Sequence, residues 1–479
     1  GSIRLAGEVR ARGDNRRTRS DWMEIEQKRG ISISSSVMTF EHLGLSLNLL
    51  DTPGHADFSE DTFRTLTAVD SAIMVIDAAK GIEDQTWKLF EVCRSRNIPI
   101  MTFVNKVDRE GHEPLVVLDE IMERLQLDAA PLSWPVGMGT AFQGVIDIAG
   151  GQLILPNGET APLPEPGRQD EGLRAASEAL ELAQSALPAF DPEAYREGYQ
   201  TPVLFGSALR NVGVRQLLDA LAEHAPPPLF QPAIPAPIDP ADPEVTAFVF
   251  KVQANMDPNH RDRIAFVRVC SGRFTRGMKL KNVRSGRELK IPNPMFFFAR
   301  ERELAEEAVA GDIVGIPNHG TLSVGDTLTE GSNRIVTGIP NFAPEIIQRI
   351  RITDASRMKQ LSKAMDDLSE EGVIQAFRPV LGSSWYVGAV GPLQFDVLRS
   401  RAAAEYNVEI ALEPSPYTRA RWIGCDDKEK LKAFVDSEKS SISLDRNGNN
   451  VYFAKGEWEL DFVKRQWPQI NFTTTRERG

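Results

Sequence analysis

Leu49 to Phe58 reads LLDTPGHADF, and its residue types suit a loop that senses a terminal phosphate and aims a water at it. Asp51 ends a strand, where a carboxylate could hold Mg²⁺ through water. Thr52 and Pro53 lead to Gly54, whose N–H could approach a γ-phosphate because glycine permits close backbone approach. His55 stands where a side chain could orient the attacking water. The plainer reading of His55 is a surface histidine at a helix start. Upstream, Ser32 in RGIS could ligate Mg²⁺ only while the γ-phosphate is present, which makes residues 10–35 a segment that orders and releases.

A second stretch, NKVD at Asn105, Lys106, Val107 and Asp108, carries different chemistry. A carboxylate at Asp108 could accept two parallel hydrogen bonds from N1–H and N2–H₂ of guanine. Adenine lacks that donor pair and would leave the carboxylate unpaired. Asn105 would tie this loop to its neighbours, and the stem of Lys106 would cover one face of the base. Four residues alone are a weak signal, since a strand-end turn can carry them by chance. In FGSAL, Phe205 to Leu209, the backbone N–H groups of Ser207, Ala208 and Leu209 could reach the guanine O6. By itself that stretch is an ordinary strand-to-helix turn.

These loops need a frame. Val37–Glu41 and Leu45–Leu50 read as a β-hairpin turning at Gly44. DSAIMVIDAA is an apolar run of buried-strand type, EDQTWKLFEVCRSR has Trp87, Phe90 and Val92 at helical spacing, and IPIMTFVN is another buried strand. Strand, helix, strand of this kind predicts a parallel sheet covered on both faces. Ligands of such sheets bind beyond the carboxyl ends of strands, where DTPGH and NKVD both fall. Residues 141–200 read as a small insert with a hairpin and an amphipathic helix. Residues 226–244 hold eight prolines and predict an extended, semi-rigid linker. Short strands with Gly and Asn turns over 245–334 predict a small β-barrel. Residues 335–479 begin with a βαββαβ order, with Met358, Leu361, Met365 and Leu368 on one helix face, and 419–473 could repeat that order. The chain therefore divides into 1–225, 226–244, 245–334 and 335–479.

Composition narrows the classes. The chain has 479 residues, 41% hydrophobic and 25% charged, as in an ordinary globular protein. No apolar run approaches the ~20 residues that span a bilayer, so no membrane role is expected. Three scattered cysteines and six histidines argue against a structural zinc site and make a reducing cytoplasm the default. A net charge of −12 argues against non-specific coating of nucleic acid. Residues 4–19 are the local exception, with six arginines against one Glu and one Asp. They form either a solvated basic loop or a contact to an anionic partner.

DTPGHADFSEDTFRTLTAVDSAIMVIDAAKGIEDQT, NKVD and QKRGIS together resemble the translational GTPases. TRSDWMEIEQKRGISI, FVFKVQANMDPNHRDRIAFVRVCSG, PNFAPEIIQRIRI, LSEEGVIQAFRP and VGAVGPLQFDVL resemble the class II termination factors of that family in particular, and the likeness runs nearly end to end. It implies an α/β P-loop-type GTPase domain with a parallel-rich sheet, a small β-barrel and an α+β split-βαβ C-terminal domain. It implies GTP/GDP and Mg²⁺ as ligands, with Asp51 to His55 on the γ-phosphate, Ser32 and Asp51 on the metal, and Asn105 to Asp108 with Ser207 to Leu209 on the base. Many relatives carry threonine at the Ser32 position, and serine keeps the hydroxyl. Implied partners are the ribosome, both its RNA and proteins, and the codon-reading release factors recycled after peptide release. The chain is expected to act as a cytoplasmic monomer. Alternatives are an elongation or ribosome-protection GTPase, or a nucleotide-free ribosome-binding relative.

One part of the pattern is missing. The phosphate cradle G-x-x-x-x-G-K-[ST] does not occur between Gly1 and Gly479. The resemblance places a strand, that loop and a helix, roughly 25 residues, ahead of the basic segment. The expectation is that the cradle belongs upstream of Gly1. The competing expectation is a chain that lacks it, together with a strand and helix of the sheet. If the basic segment docks on ribosomal RNA, replacing Arg16, Arg17 and Arg19 with Ala weakens ribosome binding and flattens its salt dependence. A pelleting assay at several salt concentrations checks this, and unchanged binding would make the segment a solvated loop.

Overall fold

The structure, a computed structural model, describes Glu26 and residues 31–254, 263–298 and 301–477. The basic stretch 4–19 and Gln27 to Gly30 lie outside the described residues. Strands β1 (Ser36–His42) and β2 (Leu45–Asp51) form an antiparallel hairpin in which Ser36 faces Asp51, and Gly44 takes φ 79° at its turn. A two-stranded hairpin is marginal alone and needs packing. Here His42 Nε2 lies 2.7 Å from Asp219 Oδ1 on one side. On the other, Val37 joins the barrel core and Asn48 Nδ2 donates to Asp312 Oδ1.

After a short helix α1 (Ser59–Thr65) comes the parallel sheet. It contains β3 (Ala72–Asp77), β4 (Ile100–Asn105), β5 (Asp128–Pro131) and β6 (Gln200–Phe205), in the order β3-β4-β6-β5. The crossover elements include α2 (Asp84–Ser95) and α3 (Pro114–Leu125), and α4 (Val214–His224) follows β6. All six residues of β6 and the first five of β4 are buried, as expected of central parallel strands covered on both faces. β3 is the outer strand of the described sheet, and its Val75 is 55% exposed.

The insert's sheet begins earlier than residue 141. Ser133–Val136, Gly144–Asp147, Gln152–Ile154 and Thr160–Pro162 form one antiparallel sheet, and the helix Glu171–Ala186 packs on it. Trp134, fully buried against Phe205, is the bridge that carries this sheet into the main core. The proline-rich stretch is not a free spacer. Ala233–Ile234 pairs with Ile335–Val336, and Ile238 is fully buried in the barrel core. Proline removes donors from a strand but leaves neighbouring apolar side chains free to pack, and that packing holds the stretch down.

The barrel region holds an eight-stranded antiparallel sheet whose long pair is β7 (Thr246–Ala254) and β8 (Arg263–Ser271). Their register shifts between Val249 and Lys251, a bulge that re-aims the side chains beyond it. The C-terminal region then runs β9 (Ile346–Ile352), α5 (Met358–Glu371), β10 (Gln375–Pro379), β11 (Tyr386–Ala389), α6 (Pro392–Tyr406) and β12 (Ile410–Pro414). The order repeats as β13 (Arg419–Gly424), α7 (Lys428–Ser437), β14 (Ile442–Leu444), β15 (Asn450–Ala454), α8 (Glu457–Gln466) and β16 (Asn471–Thr473). The two βαββαβ copies join edge to edge, β10 to β14, into one eight-stranded sheet. Leu361, Met365 and Leu368 face its core, whereas Met358, one turn earlier, is exposed.

Candidate guanine-nucleotide site and its interdomain support

Two loops at the carboxyl ends of neighbouring strands meet. β4 ends at Asn105 and β6 ends at Phe205, and the strands are parallel partners. Asn105 Oδ1 accepts from the N–H of Lys106 at 2.8 Å and from the N–H of Ala208 at 2.9 Å. The Val107 N–H donates to Gly206 O, and the Val107 side chain is fully buried. Val107 therefore anchors the loop through both its side chain and its backbone. Lys106 sits at φ 70°, a strained backbone for a non-glycine residue that such loops retain at functional sites. Its Nζ lies 2.5 Å from Asp77 Oδ2 at the end of β3. Burial pushes the Asp77 carboxyl up, but the Lys106 hydrogen bond and the Ala79 N–H outweigh it and hold the group below its usual range.

Asp108 is nearly buried, with Oδ2 3.2 Å from Arg210 Nε. The sequence reading missed Arg210. The signal was there, a cation one residue past SAL in a loop that must lie beside NKVD. Ser207 is buried and its N–H donates to Val212 O, while the Ala208 N–H is held by Asn105. A base oxygen arriving in this conformation meets the Leu209 backbone in an exposed turn or displaces one of those bonds.

At the sensor loop, Asp51 and Thr52 are half-buried and Pro53 is buried. Thr62 Oγ1 donates to Pro53 O at 3.3 Å, which ties the loop to α1. Gly54 is exposed, and among the described residues a Cβ built on it meets no atom within 4 Å. Nothing in the fold itself demands glycine there. His55 is exposed, and its Nδ1 accepts from the Asp57 N–H at 3.2 Å, which leaves Nε2 for an outside partner. Ser32 is half-buried, four residues before β1, at the same end of the hairpin as Asp51. Among the described residues no group of three or more His, Cys, Asp or Glu could hold a metal. One hydroxyl and one carboxylate nevertheless suit Mg²⁺, which keeps waters and shares phosphate oxygens with few protein ligands. Cys93 and Cys270 are no nucleophiles, since burial pushes both thiols up to about 12.

Behind the sensor loop, three regions meet on a set of buried charges that the sequence reading did not foresee. Asp61 Oδ2 accepts from the Ser35 Oγ at 2.5 Å and the Ser35 N–H at 2.6 Å. Lys251 Nζ from β7 lies 3.2 Å from the same oxygen and 2.5 Å from Ser34 Oγ and from Ser35 O. Burial pushes the Asp61 carboxyl up, but Lys251, Arg64 and Ser35 more than offset it and bring it to about 2. Arg64 reaches from α1 to Glu371 O at the end of α5, and Arg401 on α6 pairs with Glu371 at 2.8 Å. Arg268 on β8 sets its Nη2 2.7 and 2.8 Å from the two Asp70 carboxylate oxygens and donates from Nη1 to Ala68 O at 2.6 Å. Phe58, Ile33 and Val397 form a small apolar core beside these charges.

Known proteins match this arrangement region by region. The model of the Elongation factor Tu GTP binding domain matches residues 2–227. That of Elongation factor G domain 2 matches 244–331, and that of the Class II release factor RF3, C-terminal domain, matches 336–464. Among solved structures, a crystal structure of a Thermus thermophilus protein superposes with a TM-score of 0.70 at 22% identity, over 88% of this chain and 66% of that one. At that identity the likeness is one of fold, and this chain spans just under two thirds of that protein's length. Models of a GTP-binding domain, an elongation-factor second domain and a release-factor C-terminal domain match successive regions here, so the chain has the domain order of a translational GTPase, and its last region is similar to that of the class II release factors.

Proposed function

We propose that the chain is a termination factor that binds and hydrolyses GTP on the ribosome and so recycles the codon-reading release factors after peptide release. The observation that carries this reading is the pairing of NKVD with SAL through Asn105 and Ala208, in a chain whose C-terminal region matches the class II release factor domain. That hydrogen bond joins the loop carrying Asp108 to the turn carrying Ala208 and Leu209, which supports the reading.

In this reading Asp108 accepts from the guanine N1–H and N2–H₂, and the Lys106 stem covers the base. Asp51 and Ser32 would hold Mg²⁺, which neutralises developing phosphate charge when bound. The Gly54 N–H points to the terminal phosphate, and His55 orients the attacking water. Catalysis on this plan is positioning and electrostatics, with no covalent intermediate on the protein.

The test is a titration of the purified protein with fluorescent GDP and GTP in Mg²⁺, done with the 479-residue chain and with a version extended upstream of Gly1. Micromolar or tighter binding by the extended version, with GTP hydrolysis stimulated by ribosomes, supports the reading. If the extended version binds neither nucleotide but still binds ribosomes, a nucleotide-free ribosome-binding role replaces it. A finer check uses Gly54→Ala in the extended version. The open space around a Cβ there keeps the stability change within about 0.5 kcal/mol. A methyl beside the terminal phosphate should still weaken GTP binding ~10-fold or more while sparing GDP. Equal weakening of both nucleotides would mean that Gly54 does not face the γ-phosphate.

A further inference from the structure

Asp57, at the end of the sensor loop, is held by a domain more than 300 residues away. Helix α6 begins at Pro392, and its N-cap is Gly391, which has no side chain to accept from the first-turn N–H groups. Gln394 Oε1 accepts from the N–H groups of Val390 and Gly391, just before the helix. The Leu393 N–H, inside the first turn, instead donates to Asp57 Oδ2 at 2.7 Å, across 336 residues of chain. Asp57 thus caps α6 from another domain, and its negative charge suits the positive end of that helix. The fit is close, since a Cβ on Gly391 would stand 2.1 Å from the Asp57 carboxyl carbon.

The same aspartate holds His55. Its backbone N–H donates to His55 Nδ1 at 3.2 Å, and with that nitrogen accepting, the carboxylate acts on the ring only by fixing the Asp57 backbone. Its neighbour Phe58 packs between Ile33, which follows the Ser32 segment, and Val397 on α6. Both grips on this short segment therefore come from the C-terminal domain, and both lie within three residues of the histidine.

We propose that docking of the C-terminal domain sets the orientation of His55 through Asp57, which makes Asp57 a positioning residue and the α6 N-terminus a gate on hydrolysis. The proposal rests on the GTPase reading above. When α6 is seated, Asp57 is fixed, Nδ1 is engaged, and Nε2 faces outward to a water. When α6 moves away, the Asp57 carboxylate loses its partner and the ring is free to turn. A binding partner that shifts the C-terminal domain would then switch hydrolysis without touching the nucleotide.

Two variants attack the contact from opposite sides, Asp57→Ala in the first domain and Gly391→Ala in the last. Single-turnover GTP hydrolysis on ribosomes should fall about 100-fold in each, the scale that a misplaced catalytic group costs. GDP and GTP affinities should stay within about threefold, because neither residue touches the nucleotide. Asp57→Asn keeps an oxygen for the Leu393 N–H and should recover most of the rate. Asp57→Ala in a His55→Ala background should cost nothing further, since the effect runs through the ring. A second measurement needs no nucleotide. The ¹⁵N spectrum of His55 should show one pinned tautomer in the parent and a shift toward free imidazole in Gly391→Ala. An additive loss in the His55→Ala background, or an unchanged rate and spectrum in Gly391→Ala, would overturn the proposal. If the parent neither binds nor hydrolyses GTP, the GTPase reading falls separately, and the spectrum alone decides whether α6 holds the histidine.

Discussion

Asp108→Asn should cost the protein its hold on guanine nucleotides and give it xanthine nucleotides in exchange. A carboxylate offers two acceptors, matched to the N1–H and N2–H₂ of guanine, whereas an amide offers one acceptor and one donor. Xanthine presents N1–H and an oxygen at position 2, which match the amide. Two charge-assisted hydrogen bonds are worth about 3–5 kcal/mol, so GDP affinity should fall about 10²–10⁴-fold. Structural damage is not expected to mask this. Among the described residues Asp108 pairs with Arg210, whose Nε lies 3.2 Å from Oδ2, and an asparagine there keeps an oxygen that can accept from it. Parallel titrations with GDP and xanthosine diphosphate, beside a thermal melt, decide the matter. An unchanged GDP affinity would remove Asp108 from the base site, and indifference to both nucleotides would favour the passive ribosome binder.

The chemistry-bearing loops were legible because their residues are contiguous. NKVD and SAL each follow a buried apolar run, and a strand end is where an α/β sheet presents its ligand site. The split-βαβ order and its repeat were legible for a similar reason, since period and turn chemistry are local. What the sequence concealed is how distant elements dock. Nothing in the periodicity of LLDTPGHADF says that Asp57 caps α6, because that bond depends on the placement of two domains. Proline composition read as a spacer, yet Ile238 within it is a fully buried barrel residue. One buried-charge signal was readable and was passed over. In TAFVFKVQ a lysine interrupts an otherwise buried strand, and a buried ammonium requires a carboxylate close by. Its partner Asp61 lies in the helix that follows the sensor loop, so the lone cation marked the domain junction.

That junction makes the second large expectation, which concerns Lys251→Met. The substitution roughly preserves volume but strips Asp61 of its barrel partner and leaves Ser34 and Ser35 without their shared donor. Removing one member of a buried pair typically costs about 3–5 kcal/mol, because the other charge stays buried. Asp61 keeps Arg64 at 3.3 Å, which places the expected loss toward the lower end of that range. The pH dependence separates this cause from a simple packing defect. In the parent, Asp61 sits at about 2, below its ordinary 3.8, so its stabilising contribution is complete above roughly pH 4 and is lost as pH falls toward 2. Without Lys251, burial dominates and the carboxyl takes up its proton at higher pH. The deficit of Lys251→Met relative to the parent should therefore be greatest near pH 7 and shrink as the medium is acidified, because protonation removes the unpaired charge. Urea unfolding of both proteins from pH 7 to pH 4 measures that difference. A deficit that stayed constant over this range would mean that Lys251 contributes packing alone, and that the junction between the sensor helix and the barrel is not held by charge.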